Sequence, residues 1–415
     1  MNFHNFVYLN NGDLYGFGLN NYGQLGLGST TGETRLTLIM NDPEIKQIKC
    51  GYRFSMLLRN NGELLVCGSN DYGKLGIGDN NDYVTHDNFI LLMKDSSIKQ
   101  ISCGANHTMI LKNNNDIYVF GNNDCCQLGL SFDIKKSNIP ILLNDPIIVD
   151  EKSNIKQIIC GTDYSMILYE NNKIIVFGNN LHHELGLLNM NNYKTLPIVL
   201  FEASNSHIDK IIVGDNHSLL LKNTNLFGFG DNNFYQLGFG DKIVVQVPTL
   251  LLNGNIKQVS IGRRHTFILI DNEILVCGSN DSGQLGFDKS INNVKNLQLL
   301  MKDDSIDHII CGRGHSMIIK NNGELWICGL KSSIGYVFGS DIFTPKLFMT
   351  NPNIIDVNGH RFGCVKWQVN LYENLSKDTQ DVIVTFLLVC RYYRIKYNVN
   401  VVKYMRHEVI KYLFY

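Results

Sequence analysis

One pattern of residues recurs seven times along the chain, and any fold must accommodate it. In one copy it reads Ile98-Lys-Gln-Ile-Ser-Cys-Gly104, then His107-Thr-Met-Ile-Leu-Lys112, Asp116-Ile-Tyr-Val-Phe-Gly121 and Gln127-Leu-Gly129. The first glycine of the pattern falls at Gly51, Gly104, Gly161, Gly214, Gly262, Gly312 and Gly359. The second falls at Gly18, Gly68, Gly121, Gly178, Gly230, Gly278 and Gly329. Successive members of the first series are 53, 57, 53, 48, 50 and 47 residues apart. A near-constant period of this size marks a repeat architecture, in which each unit buries its apolar face against its neighbours.

Within a copy, apolar residues come in runs of strand length bounded by Asn/Gly clusters. Asn11-Gly12, Asn61-Gly62 and Asn322-Gly323 separate such runs, and Asn-Gly tolerates the positive φ of a tight hairpin turn. About 50 residues and about four strands per copy is the arithmetic of a β-propeller blade. The expected fold is therefore all-β, a seven-bladed propeller over residues 1–367. The chain begins inside a copy: His4 precedes Gly18 as His107 precedes Gly121. The missing first strand returns at the other end as Ile354-Ile-Asp-Val-Asn-Gly359. One blade is thus expected to be shared by both termini, which removes open edges. Residues 362–367 compete with residues 3–9 for the slot beside it.

Composition agrees with one large core. Of 415 residues, 44% are apolar and 18% charged, too little charge for a disordered chain. Lys+Arg is 37 against Asp+Glu 38, so no basic excess supports nucleic-acid or membrane-surface binding. The first residues lack the apolar core of a secretory signal, and no apolar run approaches the roughly 20 residues that span a bilayer. An intracellular protein, cytoplasmic or nuclear, neither secreted nor membrane-spanning, is expected. Seven of the 11 cysteines recur at two fixed phases, Cys50, Cys103, Cys160 and Cys311 at one and Cys67, Cys277 and Cys328 at the other. That recurrence reads as small buried packing residues, and Cys-x-x-Cys ligand spacing is absent.

Gly121-Asn-Asn-x-x-x-Gln-Leu-Gly129, preceded by Gly104-x-x-His107, resembles the repeat of the regulator of chromosome condensation family. Gly18-Leu-Asn-Asn-Tyr-Gly-Gln-Leu-Gly26, Gly68-Ser-Asn-Asp-Tyr-Gly-Lys-Leu-Gly76 and Gly278-Ser-Asn-Asp-Ser-Gly-Gln-Leu-Gly286 fit it best. The copy after Gly329 departs, with no Gln-Leu-Gly. The resemblance implies a seven-bladed propeller. It also implies a choice of roles: the founding member is a nucleotide exchange factor for the GTPase Ran and binds nucleosomes, and other members are scaffolds, GTPase regulators or ubiquitin-ligase components.

The shared residues read as structural. The first glycine is expected to permit positive φ or a close backbone approach. His107, His217, His265 and His315 would form a ring of metal ligands only if every copy had one, yet Phe54 and Tyr164 take equivalent positions, and an aromatic ring replaces a packing histidine, not a ligand. His182-His183 reads as a surface pair in a loop. Phosphate-loop, His-Glu-x-x-His and Gly-x-Ser-x-Gly signatures are absent, so no bond-making activity, cofactor or metal is assigned.

Partner specificity is expected in loops. The longest interval, Gly104 to Gly161, carries surplus residues between Ser131 and Ser153. There Asp133, Lys135, Lys136, Asp145, Asp150, Glu151 and Lys152 are candidate partner contacts, and Pro140 and Pro146 discourage a long strand. By resemblance, this is the nearest counterpart of the wedge that an insertion makes in the exchange factors. Residues 368–415 read as a helical extension: Ser376 is a cap, Val382, Phe386, Val389 and Tyr393 follow helical spacing, and a second helix follows residues 398–400. It is a cap on the propeller or a docking hairpin for another protein. The favoured function is a non-enzymatic protein-interaction scaffold or adaptor; the alternative is a guanine-nucleotide exchange factor or regulator for a Ran-like small GTPase.

Overall fold

A computed structural model describes residues 4–79, 81, 84–149, 153–188, 194–201, 207–333, 340–351 and 354–358. Its 28 strands form seven four-stranded antiparallel sheets, six ordered as in the chain and one that sets the last strand beside the first. Each sheet is one blade. Blade 2 runs Ile45–Gly51, Phe54–Arg59, Glu63–Ser69 and Thr85–Lys94. Blade 3 runs Ile98–Cys103, His107–Lys112, Ile117–Asn122 and Lys136–Leu142. Blades 4, 5, 6 and 7 open with Ile155–Cys160, Ile208–Val213, Ile256–Ile261 and Ile306–Cys311.

Blade 1 is built from both ends of the chain. Ile354–Asn358 pairs antiparallel with His4–Leu9, Phe6 opposite Asn358 and Leu9 opposite Ile354. Asp13–Gly18 and Glu33–Asn41 complete it. His4–Leu9 therefore holds the second slot, and residues 362–367 lie outside the described residues, as do residues 368–415 and the helices expected there.

Apolar residues alternate along the inner strands and meet between blades. Seven apolar clusters fill the seven seams, each drawn from two adjacent blades. In the seam between blades 2 and 3, Phe54, Met56 and Val66 meet Ile101, Ile110 and Phe120, all fully buried. Burial of each such side chain is worth about 1.5–3 kcal/mol. The cysteines at the two repeating phases sit in these cores; burial pushes the Cys160 and Cys311 thiols up to about 12, which leaves them protonated and inert.

First strands of successive blades lie side by side around the axis, and the recurring Ile-Lys-Gln-Ile explains how they are joined. The Gln100 side chain accepts from Ile158 N at 3.1 Å and donates to Ile158 O at 2.9 Å. Gln157 does the same to Ile211, and Gln258 to Ile309. A glutamine amide has the donor and acceptor of a peptide group, so it continues the backbone ladder where the next blade is too far for direct pairing. The preceding lysine adds a second stitch, Lys99 Nζ to Ile155 O at 2.8 Å and Lys156 Nζ to Ile208 O at 2.8 Å.

The two glycine series have different causes. A Cβ on Gly104 would lie 2.1 Å from His107 Cε1, so the first glycine makes room for the ring three residues later. Gly121 has φ +104°, and a Cβ there would meet Asn106 O at 2.3 Å. Among the described residues the first series thus acts by close approach alone, the second by left-handed backbone as well.

Candidate functional site

Two kinds of loop share one face of the ring. The first joins first and second strands and carries Gly-x-x-His; the second follows the third strand and carries Gly-x-Asn-x-x-x-Gln-Leu-Gly. In the second, Asn20 Oδ1 accepts Leu25 N at 2.8 Å and Gln24 Oε1 accepts Tyr22 N at 2.9 Å. Leu25 is fully buried. The same bonds recur at Asn123/Leu128 with Gln127/Cys125 and at Asn280/Leu285 with Gln284/Ser282. The motif therefore folds its own loop. His183 belongs to this geometry: it takes the left-handed position (φ 58°) filled by Gly23 and Gly283 in other blades, and Nδ1 donates to Leu187 O at 3.0 Å. The His182-His183 pair is thus half-buried turn rather than a surface pair.

Three of the recurring histidines, His4, His107 and His265, form a relay across seams, whereas neither ring nitrogen of His217 or His315 has a hydrogen-bond partner. His265 Nε2 lies 2.9 Å from Ser316 Oγ of the next blade, and Ser316 Oγ donates to Gln284 O at 2.7 Å. Because the hydroxyl proton goes to the carbonyl, the imidazole must donate from Nε2. His4–Ser55–Gln24 and His107–Ser165–Gln127 repeat the arrangement, and Tyr164 OH takes the same place before Ser218. Burial holds His4, His265 and His315 down to about 3 and His217 to about 4, so they are neutral near pH 7. Among the described residues no group of three or more His, Cys, Asp or Glu is arranged to hold a metal.

What varies around this frame is the pair of residues between the glycine and the histidine. Blade 2 has Tyr52-Arg53, blade 3 Ala105-Asn106, blade 4 Thr162-Asp163, blade 5 Asp215-Asn216, blade 6 Arg263-Arg264 and blade 7 Arg313-Gly314. These loops are linked to one another, Tyr52 N to Ala105 O at 3.2 Å and Ala105 N to Thr162 O at 3.1 Å. The rim of the channel mouth is accordingly polarised: acidic over blades 4 and 5, basic over blades 6, 7 and 2. Arg263 and Asp215 meet at 3.4 Å where the halves join. On the acidic side Glu184 stands where blades 1, 3, 5 and 6 have glutamine. It is fully buried, Oε2 accepts His182 N at 2.7 Å, and Oε1 has no partner. Burial, with Asp163 and Asp231 nearby, pushes its carboxyl up to about 8.

The candidate contacts of the longest repeat are divided by its fourth strand. Asp133, Lys135 and Lys136 precede or begin Lys136–Leu142, on the loop face. Asp145 follows it at the other end, some 20 Å away at about 3.3 Å per residue. Asp145 caps a turn, its Oδ1 accepting Ile147 N at 2.8 Å, and that turn buries Leu143 and Ile148 in the seam between blades 3 and 4. Asp150, Glu151 and Lys152 lie outside the described residues. The strand with Pro140 has 7 residues, the shortest fourth strand of the ring. Reading charge along one interval missed the rim arginines, which are dispersed over separate copies; the residues between glycine and histidine, compared copy by copy, carry that signal.

A model of the RCC1-like domain matches residues 86–361, and models of the regulator of chromosome condensation (RCC1) repeat match residues 11–58 and 45–74. The X-linked retinitis pigmentosa GTPase regulator of Canis lupus familiaris is 32% identical over 149 residues, 36% of this chain and 14% of that protein. The probable E3 ubiquitin-protein ligase HERC4 of Homo sapiens is 31% identical over 147 residues, 35% of this chain and 13% of that one. The serine/threonine-protein kinase Nek8 of Danio rerio is 28% identical over 218 residues, 49% and 30%. The chain thus matches less than a third of the length of each. Among solved structures, Prp20p of Saccharomyces cerevisiae superposes with a TM-score of 0.73 at 21% identity, over 92% of this chain and 96% of that one. Human WBSCR16 gives 0.70 at 18% identity, over 87% and 100%. Among the described residues no helix is long and apolar enough to cross a membrane. Seven blades, a repeat motif that folds its own loops, and a domain match over more than half of the sequence lead to one conclusion: the chain belongs to the RCC1-like family of β-propellers.

Proposed function

We propose that the protein is a non-enzymatic interaction scaffold or adaptor whose loop face is its contact surface. The observation that carries this reading is the polarised rim: charged residues that vary from blade to blade are mounted on buried motifs that recur, hydrogen-bonded alike, in most blades. Such a surface selects partners by charge pattern while the frame keeps it rigid. Asp133, Lys135 and Lys136 belong to the same face and are proposed as outlying contacts. Asp145, Asp150, Glu151 and Lys152 are proposed to contact a partner only if it also reaches the opposite side. Residues 368–415 are proposed as a separate helical extension that recruits a second protein.

A second reading is guanine-nucleotide exchange on a Ran-like small GTPase. The work on Prp20p, whose fold this chain shares, reports binding to Gsp1p and histones. Exchange needs no acid or base, only tighter binding of the nucleotide-free state. Affinity purification of the full-length chain, paired with a nucleotide-release assay on a panel of small GTPases, separates the two. The scaffold reading expects discrete co-purifying proteins and no acceleration of release. Acceleration for one GTPase would favour the second reading, and the absence of any co-purifying protein would defeat the first.

A further inference from the structure

Two arginines on the rim are built alike at two distant seams. The guanidinium carbon of Arg53 in blade 2 lies 4.2 Å from the ring centroid of Tyr22 and 4.6 Å from that of Tyr52. That of Arg264 in blade 6 lies 3.6 Å from the centroid of Phe234. Each occupies the position just before the second strand. Each stacks on the residue four places after the third-strand glycine of the preceding blade, Gly18 to Tyr22 and Gly230 to Phe234. Neither makes an ion pair among the described residues, whereas the adjacent Arg263 pairs with Asp215. Arg53 Nε is buried and has no hydrogen-bond partner.

An aromatic ring against the face of a guanidinium fixes its plane and leaves the in-plane N–H fork unblocked. The side-chain entropy that an arginine loses on binding is then already spent. Around Tyr52 further positive charge gathers: Arg313 of blade 7 lies 5.7 Å from its centroid, and the buried Lys74 Nζ, already paired with Asp71 at 3.5 Å, lies 5.8 Å from it. Blades 6, 7, 1 and 2 are consecutive, so Arg264, Arg313 and Arg53 mark one basic arc. Asp163, Asp215 and Asp231 hold the adjoining arc, and at the boundary Asp281, Asp215 and Asp231 lie near enough to act on the charge of Arg264.

We infer that the basic arc docks a short acidic polypeptide segment, with its carboxylates held by the stacked forks of Arg53 and Arg264. The inference rests on the scaffold reading and names the chemistry of its partner. A planar carboxylate matches a guanidinium fork with two parallel hydrogen bonds. A phosphate dianion is usually met by converging backbone N–H groups, and here Tyr52 N and Ala105 N are already bonded to neighbouring loops. A nucleic acid strand continuing around the mouth would run onto Asp163 and Asp215, and the chain as a whole has a net charge of −1.

The test is fluorescence anisotropy of a labelled glutamate-rich peptide titrated with the full-length protein. The wild type is expected to bind it, less tightly as salt rises. R53Q/R264Q should weaken binding at least roughly tenfold. R53K/R264K keeps the charge but loses the fork, and should fall between the two. D163N, on the adjoining arc, should bind as well as or better than the wild type. Thermal melts of each variant establish that it is folded, and the lysine variant carries the test if the glutamine variant is not. Absence of peptide binding by the wild type, or equal binding by R53Q/R264Q, overturns the inference. So does tighter binding of a phosphopeptide or an oligonucleotide through the same arginines. If R53Q/R264Q still recovers every protein that co-purifies with the wild type, the arc is not the docking site and the scaffold reading stands; if the wild type recovers none, the scaffold reading fails on its own.

Discussion

The seam between blades 6 and 7 and the seam between blades 7 and 1 do the same work by different means. In the first, Gln258 takes both backbone groups of Ile309, Ser260 Oγ accepts Cys311 N at 2.8 Å, and the His265–Ser316–Gln284 relay is complete. In the second, His308 stands where Gln258 would, and neither ring nitrogen of His315 has a hydrogen-bond partner. Asn5 replaces the serine and donates to Ser333 O at 2.6 Å. Beside these, Val7, Leu9 and Phe17 meet Met317, Leu325 and Ile327. Directional stitches need matching residues on both sides. Where one blade is assembled from two ends of the chain, the residues of the relay change, and the backbone ladder between Ile354–Asn358 and His4–Leu9 joins the ends beside an apolar seam.

The largest expected effect comes from removing that closure. Deleting residues 354–415 takes away the strand beside His4–Leu9 and leaves an open edge; we expect loss of cooperative thermal unfolding, or aggregation. Deleting only residues 371–415 should keep the transition. If the two truncations melt alike, the pairing of Ile354–Asn358 with His4–Leu9 is not what closes the ring.

Next in size is a seam that is stitched but carries a buried carboxyl where other blades carry an amide. Glu184→Gln restores the residue of blades 1, 3, 5 and 6. The Glu184 carboxyl rises from 4.5 to about 8 on folding, so the protein takes up a proton there. Its stabilising share is complete below pH 4.5 and is lost as pH rises through 8. The glutamine variant escapes that loss and is expected to be more stable by on the order of 2–4 kcal/mol at pH 8. The gap in chemical-denaturation midpoints should shrink towards pH 5. A gap independent of pH would mean that the carboxyl is solvated.

The smallest effects compare the two seams directly. Ser316→Ala strands the His265 donor and the Gln284 carbonyl and should cost about 1–3 kcal/mol. His315→Phe, which copies Phe54, breaks no hydrogen bond of the ring and should cost less than about 1 kcal/mol. His315 is held near 3, well below the usual 6.5. Its share of stability is therefore complete above pH 6.5 and falls as pH drops towards 3. The phenylalanine variant should show a shallower acid limb, by at most about 1.4 kcal/mol per pH unit. An unchanged limb would assign acid unfolding to other groups.

Much of this architecture was legible because it repeats. The glycine series gave blade number, and the displaced Ile354-Ile-Asp-Val-Asn-Gly359 gave the shared blade. The relay was equally visible, since Ser55, Thr108, Ser165, Ser218, Thr266 and Ser316 each directly follow the histidine or its substitute; it escaped notice because the partners are a full repeat apart. The rim was not legible from one stretch of sequence. Arg53 and Arg264 meet the same surface only after the ring closes, whereas Lys136 and Asp145 are close in sequence and are held apart by a strand.

The pairing of the two ends also sets how the ring meets mechanical load. Phe6 lies opposite Asn358 and Leu9 opposite Ile354, so the chain leaves both strands at the same end of the pair. A pull between residues 4 and 358 therefore acts on the ladder one rung at a time, as in unzipping, instead of shearing all rungs together. The blade that completes the ring is also the one through which tension applied at the two ends would open it first.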